Sequence, residues 1–188
     1  MDSLKNKNML VSFVNGFEGF LGVLGVLLGS SAYAFEPVQL NNRFDLEEVK
    51  WIKEAGNASL KGKAFLKLEN GEYKGCAGFN IELLPITQYS SERINKTYGN
   101  NQQGQILLKD NPPKFTPDAK EYHDMVIKTQ CNDSNEFSFS QIKPGDYYVM
   151  AFIIWDTEVN GTPAKDGGAV MKRVHIKEKM SSDILLKN

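Results

Sequence analysis

The sequence predicts an all-β sandwich of about seven antiparallel strands preceded by one short helix, and three observations carry that expectation. Residues 136–155 run Phe137, Phe139 and Ile142 into Pro144-Gly145, after which residues 146–155 hold a single side chain that is neither apolar nor aromatic. Proline presets a turn and glycine supplies the open conformation after it, so the stretch reads as two adjoining strands joined by a tight turn. Residues 58–68 alternate with period two: Leu60, Gly62, Ala64, Leu66 and Leu68 oppose Ser59, Lys61, Lys63 and Lys67, with Phe65 the one apolar residue on the outer side. That is the pattern of a half-buried strand. Turn signals then separate the apolar runs, Asn70-Gly71 the strongest of them.

The first 34 residues read as an export signal. Lys5 and Lys7 precede an apolar segment at 20–28, and Ala32-Tyr33-Ala34 fits a small-x-small cleavage site. Asn15 and Glu18 suit a bilayer centre poorly, so the mature chain is expected to carry no transmembrane anchor and to lie in the periplasm or outside the cell. The roughly 150 residues that remain suffice for one domain with its own core. Residues 35–57 form a lead-in and an amphipathic helix, and 58–188 the sandwich, with a long insertion at 88–120. A net charge of -1 leaves no basic excess, which argues against nucleic acid as a partner. Cys76 and Cys131, in an exported chain, are expected to form a disulfide; the alternative is two buried free thiols.

Along the chain, Asp45 and Glu48 are spaced as a reciprocal cap, and Phe44 and Val49 as a hydrophobic staple, for a helix over 46–55 with Leu46, Val49 and Ile52 on one face. Asn70-Gly71 predicts a two-residue hairpin with both central residues at positive φ. Residues 79–84 form a strand with Phe79, Ile81 and Leu83 on one side, limited by Pro85. Residues 88–120, rich in Asn, Gln, Lys and Tyr and broken by Pro112-Pro113, read as a surface excursion with one short strand near 105–109. Residues 123–131 alternate again, 132–135 turn, 156–168 close the sheet edge, 169–177 return as a strand, and Ile184, Leu185 and Leu186 make the last short one.

Chemistry is sparsely signalled. His123 and His175 are the two histidines, and neither has the spacing of a metal or catalytic motif; a nucleophile elbow, a phosphate loop and a Cys-x-x-Cys pair are all missing. No cofactor is expected. Asp124 beside His123 would point to the opposite face of a strand and form no dyad with it. Asp156, Glu158 and Asn160-Gly161 resemble the first half of a calcium loop, but Gly167 stands where a closing Glu belongs, and Asn160-Gly161 equally suits a hairpin turn.

The one surface that invites a ligand lies behind the core strand. If Tyr147, Val149, Ala151 and Ile153 point into the sandwich, Tyr148, Met150, Phe152 and Ile154 must point out. An apolar outer face needs a cover: the N-terminal helix, part of the 88–120 insertion, or a partner.

The segment Phe137-x-Phe139-x-x-Ile142-x-Pro144-Gly145-x-Tyr147-x-Val149, with Ala77-Gly78-x-x-Ile81-x-Leu83 upstream, resembles the carboxypeptidase regulatory-like domain of the transthyretin-like (prealbumin-like) superfamily. That resemblance spans about 58–152 and implies a seven-stranded Greek-key sandwich, with Tyr147 tying a corner through its hydroxyl and Asn135 at a turn position that usually holds glycine. Intradiol dioxygenases of the same superfamily share a similar segment and hold iron with two tyrosines and two histidines. Residues 150–155 contain no histidine, so that iron site does not carry over. The implied role is non-catalytic: an exported module for protein or cell-envelope interaction, with carbohydrate binding as the alternative and a metal-dependent enzyme as a distant third.

Overall fold

The computed structural model describes residues 36–188; the expected export signal lies outside them. In chain order the strands are β1 (Val38–Gln39), β2 (Ala58–Lys67), β3 (Tyr73–Gly75), β4 (Asn80–Pro85), β5 (Gln103–Leu107), β6 (Phe115–Thr116), β7 (Ile127–Gln130), β8 (Glu136–Ile142), β9 (Gly145–Val159), β10 (Thr162–Ile176) and β11 (Ser181–Leu186). Two α-helices join them, α1 (Gln88–Tyr98) and α2 (Lys120–Asp124). A five-stranded sheet in the order β5-β10-β9-β4-β7 faces a four-stranded one in which β11 and β8 flank β2 and β3 continues on the β8 side. Within both sheets the pairings are antiparallel except β11 with β2, which is parallel.

The alternation in β2 works as read: Ala58, Leu60, Gly62, Ala64 and Leu66 are buried and the lysines are exposed. From the other sheet Tyr147, Val149, Ala151 and Ile153 of β9 meet them, with Ile81 and Leu83 of β4, Val170 of β10, and Phe137, Phe139 and Ile142 of β8. Cys76 and Cys131 form the expected disulfide, with Cα atoms 5.7 Å apart across 55 residues of chain.

Residues 136–155 are not a hairpin. β8 pairs with β2, whereas β9 pairs with β4 and β10, so Lys143-Pro144 carries the chain from one sheet to the other. Two strands whose apolar sides face the same core from opposite sheets cannot also be ladder neighbours. The corner is fastened as the resemblance implies: the fully buried Tyr147 donates its hydroxyl proton to the Lys143 carbonyl at 2.7 Å, and Trp51 packs edge-on against its ring at 5.8 Å. Gly56 fits here for lack of space, since a Cβ would lie 2.0 Å from the Ile142 carbonyl oxygen.

Several local expectations need correction. The helix over 46–55 is a 3-10 turn at Lys50–Lys53, in which Asp45 caps only the Glu47 amide and Glu48 makes no reciprocal bond. Val49 and Ile52 are buried but Leu46 is 40% exposed, because so short an amphipathic segment follows its docking site rather than its own periodicity. Asn70-Gly71 closes a three-residue loop in which Gly71 alone has positive φ, 86°, the type I turn with a following left-handed residue. His123 and Asp124 end α2 instead of lying in a strand. Residues 156–168 continue the sheet: β9 and β10 pair through to a tight turn with Asn160 and Gly161 at φ 52° and 77°.

The largest departure is the 88–120 insertion. It supplies α1, β5 and β6, and α1 forms a third layer against the outer face of the five-stranded sheet. Thr87 starts α1 by accepting from the Ser90 amide at 3.0 Å while the Ser90 hydroxyl accepts from the Thr87 amide at 2.8 Å, a reciprocal cap. Gly99 ends it with φ 74° and its amide on the Asn95 carbonyl.

Candidate functional site

The outer face of β9 is divided in two. Tyr148 and Met150 lie buried with Leu84 and Met171 beneath Tyr89 and Ile94 of α1, joined by Tyr122 and Val126 from the α2 region. The Tyr148 hydroxyl donates to Ser91 Oγ at 3.1 Å, which ties the sheet to the helix. Phe44, from the lead-in, closes the layer edge-on against Tyr89 and Tyr122 at 5.7 and 6.0 Å. The cover is therefore the chain's own insertion and lead-in, and the sequence-proposed quartet is not one open surface.

Beyond α1 the same face emerges. Phe152 and Ile154 are half-buried, next to Ala169 and Gly167 of β10, and Ile106 of β5 lies opposite Ala169. On the other side, Glu82 of β4 pairs in register with Met150, so Glu82 and Asn80 share this face; Lys128 and Gln130 of β7 sit opposite them. Lys128 Nζ lies 2.8 Å from Glu82 Oε1, and Gln130 Nε2 donates to the Gly78 carbonyl at 2.7 Å. Asn80 and Gln130 are exposed. Tyr98, the last residue of α1, rests on Gly104, where an added Cβ would meet the Tyr98 Cβ at 3.0 Å. Its hydroxyl is pushed above its ordinary range by burial and by the nearby Glu82 charge. The result is an apolar strip centred on Phe152, bordered by two carboxamides and an ion pair. Such a strip can take the apolar face of a flat ligand while its edges exchange hydrogen bonds, and it holds no nucleophile.

A second cluster sequence reasoning missed sits where α1 meets the segment before α2. The Arg93 guanidinium stacks near Phe115 and Tyr122, 4.4 and 4.6 Å from their ring centroids, donates to the Tyr89 hydroxyl at 3.1 Å and pairs with Asp118 at 2.6 Å. His123 Nε2 lies 2.9 Å from the same Asp118 oxygen. Burial works against the Asp118 charge, but the His123 hydrogen bond and Arg93 hold its carboxyl below the usual range. With its charge met and both ring faces nearby, Arg93 is committed to holding α1 in place.

Glu92, on the exposed side of α1, is committed too. Its carboxylate accepts from the amides of Asn41 and Asn42 at 2.9–3.0 Å and from both their side-chain amides. The Asn41 amide first, then that of Asn42, brings its pKa down to about 2. Two shallow depressions of about 560 Å³ each flank this clamp and share Gln88 and Ser91; both open widely to solvent.

The calcium candidates do not converge. Asp156 and Glu158 lie on a paired strand, Asp156 is joined to Lys165 across the hairpin, and Asn160 serves the turn. Among the described residues no three His, Cys, Asp or Glu side chains are grouped to hold a metal, and no helix is long and apolar enough to cross a membrane.

No family model matches the sequence, and no curated protein does. The fold is similar to the crystal structure of a candidate carbohydrate-binding protein from Pseudomonas aeruginosa, with a TM-score of 0.63 and 19% identity over 78% of this chain and 99% of that one. The major pilin of Streptococcus pyogenes overlaps at a TM-score of 0.30 and 13% identity, covering 71% of this chain and 48% of the pilin. At these identities the Pseudomonas likeness establishes the fold, an all-β sandwich.

Proposed function

We propose that this chain is an exported, non-catalytic sandwich of the transthyretin-like type that binds carbohydrate at the cell envelope through the strip around Phe152. The observation that carries the reading is the part of the outer face beyond α1: Phe152 and Ile154 are half-buried there, beside the exposed carboxamides of Asn80 and Gln130 and the Glu82–Lys128 pair. Sugars present apolar C–H faces and rims of hydroxyls, and this surface offers an apolar partner for the first and planar donors and acceptors for the second. The Tyr147 corner supports the superfamily assignment, and the disulfide supports an oxidising location. The Pseudomonas aeruginosa fold neighbour, itself a candidate carbohydrate binder, agrees with the reading without carrying it.

A glycan array followed by titration calorimetry tests it. A defined glycan should bind the native chain; Phe152→Ala should weaken that binding about tenfold or more with the native circular dichroism retained, and Asn80→Ala, at an exposed position, should weaken it with the melting temperature unchanged. Retention of no glycan, or equal binding by these variants, would sink the proposal; capture of an envelope protein whose binding Phe152→Ala abolishes would turn the strip into a protein contact.

A further inference from the structure

We infer that the opposite side of the sandwich, the solvent face of the four-stranded sheet, is a second binding surface, for a linear carboxylated polysaccharide. Lys61, Lys63 and Lys67 project from the exposed side of β2, with Phe65 between them on the same side. Residues two apart on one strand face are about 6.8 Å apart, so Lys61, Lys63, Phe65 and Lys67 form a row along β2. Register places Tyr73 of β3 directly beside Lys67, and Leu185 of β11 beside Lys63. Tyr73 is 46% exposed and Leu185 43%, and the Lys187 ammonium reaches to 5.6 Å from the Tyr73 ring.

Acidic groups on this face compensate one end of it only. Glu136 pairs with Lys63 at 3.1 Å, and Asp183 stands opposite Lys61 in register. Among the described residues neither Lys67 nor Lys187 has a carboxylate side chain within 4.0 Å; the one polar contact of the Tyr73 hydroxyl is to the Asn188 carbonyl, at 3.4 Å. The exposed Tyr73 ring beside Lys67, with the Lys187 ammonium over it and a row of lysines leading up to it, complements a chain that carries negative charge at intervals and an apolar ring face between charges. A polymer of uronic acids has both properties, and its linearity matches the row. Charges in a line also favour a polymer over a single anion, because each exposed pair contributes little and several must act together.

The surface is separate from the Phe152 strip, so the two readings fail independently. The experiment is retention of the full chain on immobilised polygalacturonate, with neutral dextran, phosphatidylglycerol vesicles and single-stranded DNA as comparators. The expected result is preferential retention on polygalacturonate that falls steeply as salt rises to about 0.5 M, because exposed charges are screened. Substituting Lys61→Ala, Lys63→Ala and Lys67→Ala together should weaken it on the order of tenfold, and Tyr73→Ala should weaken it further, with unchanged circular dichroism. Retention on dextran equal to that on polygalacturonate, stronger retention on vesicles or DNA, or no response to the lysine substitutions each overturns the inference.

Discussion

Tyr147 concentrates in one side chain what holds the two sheets together. Its ring is fully buried between Trp51 and the inter-sheet core, and its hydroxyl reaches the Lys143 carbonyl at the point where the chain changes sheets. Burial pushes the phenol up to about 12, so the donor proton stays in place at any ordinary pH. Tyr147→Phe is expected to cost about 1–2 kcal/mol in urea unfolding, the loss of a well-aligned bond to a carbonyl. The sign of its pH dependence follows from the raised value: the native chain holds the proton longer than the unfolded one. The contribution is present below about pH 10 and lost as pH rises toward 12, so native and variant stabilities should converge in that window. A constant difference from pH 7 to 12 would mean that the hydroxyl is not what fastens the corner.

Among the elements, α1 decides what the outer face of the five-stranded sheet can do. It buries Tyr148 and Met150, stops at Gly99, and leaves Phe152 and Ile154 only half-buried. Arg93 and Asp118 hold one side of the helix, and Glu92 ties the other to the lead-in at Asn41 and Asn42. The Glu92 carboxyl has a folded pKa of about 2 against an ordinary 4.5. A depressed carboxylate stabilises the fold above its unfolded value and ceases to do so as pH falls through the folded one. Glu92→Gln should therefore lower the melting temperature at pH 6, and the gap to the native chain should shrink between pH 4.5 and 2. Hydrogen exchange at the Asn41 and Asn42 amides, faster in the variant at pH 6, is the local readout. Unchanged protection there would show that the clamp does not order the lead-in.

At the scale of the molecule, the Cys76–Cys131 bridge joins the segment leading into β4 to the segment leaving β7, neighbours on one edge of the five-stranded sheet. Everything between them, including α1 and the strands of the insertion, is a closed loop of 55 residues. Replacing both cysteines by serine should reduce stability by about 2–4 kcal/mol, because the unfolded chain regains the entropy of opening that loop. Equilibrium denaturation of the double variant measures it, and an unchanged midpoint would mean that the core alone supplies the constraint. The same three-layer arrangement separates two candidate surfaces, the Phe152 strip on one sheet and the lysine row on the other.

Local chemistry determined much of this. The period of two in β2, the inward set Tyr147, Val149, Ala151 and Ile153, and the left-handed turns at Asn135 and at Asn160-Gly161 follow from side-chain alternation and backbone sterics. The cap between Thr87 and Ser90 and the stop at Gly99 were legible signals for α1, but only Tyr89 and Ile94 among its buried residues are apolar, so periodicity gave it no weight. Tertiary structure alone decided which strands are neighbours: nothing local distinguishes a hairpin at Pro144-Gly145 from a crossing between sheets, since both need a turn between two apolar strands. It also decided how much of the outer face is a site. Alternation says which side Tyr148, Met150, Phe152 and Ile154 share, whereas exposure depends on where a helix distant in sequence begins and ends, and α1 buries the first two and leaves the last two half-buried.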